Sequence, residues 1–307
     1  MRVIYDDDLI RLLPMNEAVS AVEQFFVTAA CGGILSPPRH HFALNDGGLT
    51  FAIGADPACT RTLGFRVYDT FEHREGTNTQ QVVAVFDSDS GDLKGLVVGS
   101  LLGAIRTAAI GGVAMKFLAP AEVNSLTIFG AGFQAYFQLA AALCVRRVQK
   151  IFIVSRTRHK AETLAERISS EFGTETVVTV DGEASVRQSN VIICATSSPS
   201  PVLHRAWLGP GAYVASIGPK FATAHELPVD VGESALLVSD APEQLSRYPE
   251  SYFLSGTDDI LPLEGIVTER KRAEGVPLKV FLSSGRTGTE VVVANHAITR
   301  AALNGEN

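Results

Sequence analysis

The sequence predicts an α/β protein: a doubly wound parallel sheet joined to a smaller α+β segment. Three observations predict it. From Ser125 onward, short apolar runs recur without polar alternation, as strands buried on both faces do. They are Leu126–Phe129, Ile151–Val154, Val177–Val180, Val191–Ala195, Tyr213–Ile217, Leu236–Val238 and Val280–Leu282. Helical stretches, Ala135–Val145 and Arg158–Phe172, separate the early runs, and strands alternating with helices fold as parallel βαβ units. The first third of the chain follows a different pattern, with one long helix and then short β segments. A length of 307 residues fits about two domains.

Taken in order, Asn16–Ala30 places Val19, Val22, Phe25, Phe26 and Ala29 at helical spacing, and Gly32-Gly33 stops it. Gln81–Phe86 and Leu93–Val98 read as strands, joined through Asp87-Ser-Asp-Ser-Gly-Asp92 as a hairpin turn. Ala104–Leu118 returns to a helix that ends at Pro120, so the first domain is expected over 1–119 and the second over 120–290. A last helix, Val291–Leu303, needs an apolar partner surface and is expected to pack back, with 291–307, on the first domain. The 23 uncharged residues from Val123 to Val145 read as strand, turn and helix. Polar side chains and Gly130 and Gly132 interrupt them where a membrane span would be continuous.

Composition narrows the function. The net charge of −7 and the 46% apolar content describe a packed acidic protein, which argues against nucleic-acid or membrane-surface partners. The N-terminus lacks the apolar stretch of a signal peptide, and the four cysteines form no CxxC pair. They read as buried free thiols, and the expected location is the cytoplasm. His40, His41, His73 and His225 lack the spacing of a metal set, and no metal is assigned.

Leu126-Thr-Ile-Phe-Gly-Ala-Gly-Phe-Gln-Ala135 is a strand followed by G-x-G-x-x-A opening a helix. Gly130 permits the tight turn, Gly132 lets the backbone approach a pyrophosphate, and Ala135 allows helix to pack on strand. The helix N-terminus, from Phe133 and Gln134, offers N–H groups and a positive dipole end to phosphate. This is a Rossmann dinucleotide site. The second strand ends in Ser155-Arg156-Thr157-Arg158, where NAD sites carry a carboxylate for the ribose hydroxyls. Hydroxyl and guanidinium groups suit a 2′-phosphate, so NADP(H) is favoured and NAD(H) remains possible. Thr196 and Ser197 follow another strand at its carboxyl end and are expected to line the same crevice.

Six features recur in order along the chain: Ser36-Pro-Pro-Arg39, Leu63-Gly-Phe-Arg-Val67, Arg106-Thr-Ala-Ala109 and the Gly130–Ala135 loop, then Ile217-Gly-Pro-Lys220 with His225-Glu-Leu227, and Ser283-Ser-Gly285 with Glu290. On these features the chain resembles, over essentially its whole length, the ornithine cyclodeaminase/mu-crystallin family. It implies a homodimer whose first domain binds substrate and contributes strands to a shared interface. It also implies hydride transfer at a carbon that bears nitrogen and carboxylate.

Arg39 and Arg106 match the family's carboxylate-binding arginines, and a guanidinium can grip a carboxylate with two parallel hydrogen bonds. Arg106 interrupts an uncharged stretch from Gly95 to Met115 and therefore needs an anionic partner. Arg66 stands where most active members carry lysine; it can bind the carboxylate but is a poor proton carrier. Lys220 stands where cyclodeaminases carry aspartate, and Phe51–Pro57 lacks their glutamate, with Asp56 the nearest acid. Glu290 replaces the usual aspartate. The expected substrate therefore has a carboxylate and either no distal ammonium or a second anionic group. Lys220 and Arg66 are the catalytic candidates, Lys220 as general acid/base tuned by desolvation beside other cations.

The expected activity is that of an NADP(H)- or NAD(H)-dependent ketimine reductase or amino-acid dehydrogenase acting on a small amino or cyclic imino acid. Two alternatives stand beside it. One is a lyase of the ornithine cyclodeaminase type that releases ammonia with bound NAD(H). The other is a non-catalytic binder that keeps the cofactor.

Overall fold

A computed structural model describes residues 2–71, 80–246, 252–254, 259–269 and 273–305. It forms two compact units: one of Met1–Ala109 with Gly285–Asn307, and one of Ile110–Ser284.

The first unit opens with β1 (Arg2–Tyr5), α1 (Asp6–Leu12) and α2 (Met15–Ala30). Strands β2 (His40–Leu44), β3 (Gly47–Asp56), β4 (Thr62–Asp69), β5 (Gln81–Asp87) and β6 (Leu93–Gly99) follow. They form one six-stranded sheet in the order β1-β6-β5-β4-β3-β2, antiparallel except for the β1–β6 pair. The expected hairpin is present, with a register shift between Val85 and Phe86. β1, β2, β3, β4 and α1 are absent from the sequence expectation. Of the three aspartates that open α1, Asp6 accepts hydrogen bonds from the Ser100 and Leu101 N–H groups. It thereby caps α3 (Leu101–Leu118) from another part of the chain.

α3 belongs to the first unit up to Ala109 and to the second from Ile110. By length and composition it could cross a membrane (mean hydropathy 1.5), yet 78% of it is buried inside the protein, so it is a core helix.

The second unit runs β7 (Val123–Phe129), α4 (Phe133–Val145), β8 (Val148–Val154), α5 (Arg158–Phe172), β9 (Glu175–Thr179), α6 (Gly182–Arg187) and β10 (Val191–Cys194). It continues through β11 (Ala212–Ser216), the two-residue hairpin β12 (Lys220–Phe221) and β13 (Ala224–His225), and β14 (Leu236–Ser239). Then come α7 (Pro242–Ser246), β15 (Ile260–Pro262), α8 (Leu263–Thr268) and β16 (Leu278–Leu282). The main sheet is parallel throughout, in the order β15-β14-β16-β11-β10-β7-β8-β9. The direction of winding reverses between β7 and β10, which is where open α/β sheets bind ligands. Each apolar run of the sequence falls on a strand; β10 and β11 are buried at every position, as strands covered on both faces are, while the edge strand β9 is only partly buried.

The last helix, α9 (Thr289–Leu303), packs on α2 and on β4 and β5 of the first unit, as its apolar face requires. The cysteines are free, but only Cys194 is buried. Cys31, Cys59 and Cys144 are exposed because they fall just past α2, in the β3–β4 connection and near the end of α4.

Candidate functional site

The dinucleotide loop comes first. Gly130 has φ +100, and a Cβ there would collide with the Ala195 carbonyl oxygen, so neither backbone nor space admits another residue. Gly132 differs: a Cβ would meet nothing within 4 Å and would project into an open crevice. Gly132 also caps α4 without a side-chain hydrogen bond, which leaves the helix start exposed to an anion. Ala135 is fully buried.

These glycines line a cavity of about 510 Å³ at the carboxyl ends of β7, β8 and β10. Ser155, Arg156, Thr157, Thr196 and Ser197 all line it, as the sequence predicts. Phe133, Gln134 and Ala135 do not; they form the first turn of α4 behind it. Lys160, Val180, Val202 and Trp207 also line it and were not anticipated from the sequence. Among the described residues, no Asp or Glu lines it. Arg158 turns away to pair with Glu162 on the surface of α5 at 2.7 Å. The residues therefore fit a dinucleotide: a Cβ-free cradle at a helix N-terminus, an apolar wall and a cationic end.

In the same unit, Lys220 is buried on β12, and Nζ donates to the Gly218 carbonyl at 2.7 Å. It lines a cavity of about 210 Å³ with Gly218, Tyr252, Ser283 and Ser284. Burial pushes its pKa down to about 8, against Glu226, Asp240 and Cys194, which favour the charged form. Desolvation is thus present, but the charged groups acting on Lys220 are the carboxylates of Glu226 and Asp240 rather than the expected cations. Glu226 itself is fully buried. Its Oε1 accepts from the Thr196 N–H and hydroxyl, and its Oε2 from the Ser216 hydroxyl and the Gly218 N–H. One carboxylate thereby ties the crevice loop to the loop that presents Lys220. His225 stacks on Phe253 at 5.0 Å, and its Nδ1 bonds the Leu227 carbonyl, the role of a structural histidine.

The first unit holds the arginines. Arg39 precedes β2, Arg66 lies on β4 and Arg106 on α3. All three converge on Oε1 of Glu290 in the first turn of α9: Arg106 at 2.8 Å, Arg66 at 3.7 Å and Arg39 at 3.9 Å. Glu290 is 1% exposed. Burial would raise its pKa, but Arg106, Arg39 and Arg66 hold it below the ordinary carboxylate value. Arg66 is drawn down to about 10, first by burial and then by Arg106, so it stays cationic at neutral pH. Its guanidinium also sits 4.2 Å from the centre of the Tyr68 ring. The anionic partner expected for Arg106 is thus present, from a segment far away in sequence. Asp56 takes no part: its carboxylate accepts from the Cys59 and Thr60 N–H groups in a local turn. Among the described residues no three potential ligands form a metal site, and His73 lies outside those residues.

The model of the ornithine cyclodeaminase/mu-crystallin family matches residues 4–303. The chain belongs to that family. Among its curated relatives, rat (Rattus norvegicus) ketimine reductase mu-crystallin is 28% identical over 289 residues, 92% of this chain and 90% of the relative. The Delta(1)-pyrroline-2-carboxylate reductase of Bacillus cereus is 29% identical over 234 residues, 73% and 72% of the two chains. The solved structure of Thermococcus litoralis Delta(1)-pyrroline-2-carboxylate reductase, in complex with NADH and L-proline, has a TM-score of 0.91 at 25% identity. That match covers 100% of this chain and 99% of the other. Within the ornithine cyclodeaminase/mu-crystallin family, this chain combines an all-arginine cluster around Glu290 with a lysine buried at the end of β12.

Proposed function

We propose that the chain is a nicotinamide-dependent reductase of small cyclic imino acids, with NADPH as the preferred cofactor. The observation that carries this reading is the meeting of three guanidiniums on one carboxylate oxygen, a geometry that already holds a carboxylate. The Nε–H groups of Arg39 and Arg66 are buried with no acceptor among the described residues, which leaves donors for a second carboxylate, that of the substrate.

The Gly130–Ala135 loop with the start of α4 would hold the pyrophosphate, and Val180, Val202 and Trp207 supply an apolar wall for the adenine. Ser155, Arg156, Thr157 and Lys160, with no carboxylate in the same wall, support a 2′-phosphate over a bare ribose. When bound, the reduced nicotinamide supplies the hydride. Reduction of a C=N bond adds that hydride to carbon and one proton to nitrogen. Lys220 is the group suited to hold the proton, because burial brings its Nζ near the working pH. Arg66 remains charged and serves as a carboxylate ligand. Lysine in place of an acidic residue supports a substrate without a distal ammonium, which favours reductase over ornithine cyclodeaminase.

The first-unit sheet supports a homodimer. One face carries Leu49, Ile53, Leu63, Phe65 and Val82, each large, apolar and more than a third exposed. Ile53 and Phe65 pair directly across β3 and β4. Four free cysteines support a cytoplasmic location.

The test is oxidation of NADPH and NADH with five- and six-membered cyclic ketimine carboxylates. Turnover with a preference for NADPH is expected. Ammonia release from ornithine without added reductant would assign the lyase instead. Cofactor binding without turnover across the panel would assign the binder.

A further inference from the structure

We infer that Glu290 is a positioning residue for substrate binding: its buried carboxylate holds Arg39, Arg66 and Arg106 in one cluster that can receive a substrate carboxylate. The inference rests on the proposed role of the arginines as the carboxylate site.

Three observations support it. Glu290 places a single oxygen against all three guanidiniums, although these come from a loop, a strand and a helix that share no local sequence. The segment that presents Glu290 is also locked to the segment that presents Arg39. The Ser36 hydroxyl donates to the Thr287 carbonyl at 2.7 Å, the Thr287 hydroxyl to the Pro37 carbonyl at 2.7 Å, and Arg39 to the Gly285 carbonyl. Finally, Gly288 enters α9 at φ +91, and a Cβ on Gly54 would collide with its Cα. The turn before Glu290 is thus pressed onto β3, and the carboxylate has little freedom.

Charge gives the direction of the effect. Buried like charges at touching distance repel strongly, and an internal anion is what allows three cations to stay together. The titratable and charged groups acting on Arg66 are Arg106 on α3, Arg39 in its loop, Tyr68 on its own strand and Glu290 on α9. Burial, Arg106 and Arg39 disfavour its charge; Glu290 and Tyr68 favour it. Without the Glu290 charge, Arg66 loses its proton more readily or leaves the cluster. Substrate affinity then falls, and falls further as pH rises. A mere spacer would show no such slope, because its loss changes packing and not protonation.

The experiment measures binding of pyrrole-2-carboxylate, a planar unreactive imino-acid analogue, to the NADPH-loaded protein by calorimetry at pH 7 and pH 9.5. Wild type, Glu290→Gln and Glu290→Asp are compared, with NADPH affinity measured separately. Glu290→Gln is expected to weaken pyrrole-2-carboxylate binding about tenfold at pH 7 and more at pH 9.5, with NADPH affinity unchanged. Glu290→Asp is expected to lose less and to restore the wild-type pH dependence. Unchanged or tighter binding in Glu290→Gln would overturn the inference, since it would make Glu290 inert or a competitor. If the Gln variant does not fold, Asp decides: a loss of about tenfold or more at both pH values, with the negative charge retained, would make Glu290 a matter of shape rather than charge and would overturn it. Failure of the wild type to bind the analogue would overturn the underlying reading of the arginines, and this inference with it.

Discussion

The N–H of Gly218 donates to Oε2 of Glu226 at 2.6 Å, while Oε1 of the same carboxylate accepts from the N–H of Thr196 at 2.6 Å. Two strand-end loops of the parallel sheet are therefore joined through one fully buried side chain. Glu226→Ala leaves several buried donors without an acceptor, at about 1–3 kcal/mol each. A large fall in Tm is expected, measured by thermal unfolding without cofactor. A Tm within about 2 °C of wild type would contradict this account.

Gly130 and Gly132 should separate fold from binding. Gly132→Ala places a methyl in open crevice, so the protein should fold with an unchanged Tm and bind NADPH at least about tenfold more weakly. Gly130→Ala forces a strained φ and a collision with Ala195, so it should lower Tm as well. Calorimetry paired with thermal unfolding reads both, and equal behaviour of the two variants would refute the distinction.

Cofactor choice should reside at Arg156. Arg156→Ala is expected to raise the KM for NADPH about ten- to a hundredfold and to leave NADH nearly unaffected, the loss of a charge-assisted phosphate contact. Steady-state kinetics with both cofactors checks it. Equal losses would remove Arg156 from 2′-phosphate recognition.

Lys220 gives a pH signature. Its pKa near 8 predicts that reductase activity falls as pH rises through 8, when the proton is lost. The stability effect runs the other way. Between the folded value and the ordinary lysine value of 10.5 the unfolded chain binds the extra proton, so stability rises with pH across that window. Below pH 8 the buried charge is a full cost. Lys220→Met should abolish most turnover yet raise Tm at pH 7, with the gain shrinking toward pH 10.5. A lower Tm at pH 7 would contradict the assignment of burial as the cause.

Phe65→Glu places a charge on the apolar face of the first-unit sheet, opposite Ile53. If that face forms a dimer, light scattering should shift from dimer to monomer mass, with cofactor binding retained. A variant that remains dimeric would place the interface elsewhere.

The parallel half of the molecule was legible because its inner strands are covered on both faces, so their apolar runs stand out; Arg158–Phe172 matches α5 residue for residue. β3 and β4 were not, since Gly47–Asp69 mixes Gly, Thr, Arg and Tyr with apolar residues on a sheet with one open face. In the site, the three arginines were legible one by one. Their meeting on Glu290 was not: nothing local in sequence connects Arg39 to a residue near the end of the chain. The same limit hid the surroundings of Lys220: its desolvation was expected, but beside cations, whereas the carboxylates of Glu226 and Asp240 act on it.

The lock between Ser36 and Thr287 spans 251 positions and sets an order of events during synthesis. The second unit is one continuous segment, Ile110–Ser284, and every residue it needs has been made before the last helix emerges. The first unit must wait for Gly285 onward before β3 gains its neighbour Gly288 and the arginines gain their anion. Closing so long a loop is slow relative to local folding. On the ribosome, the nucleotide fold has its whole sequence before the carboxylate grip has its anion.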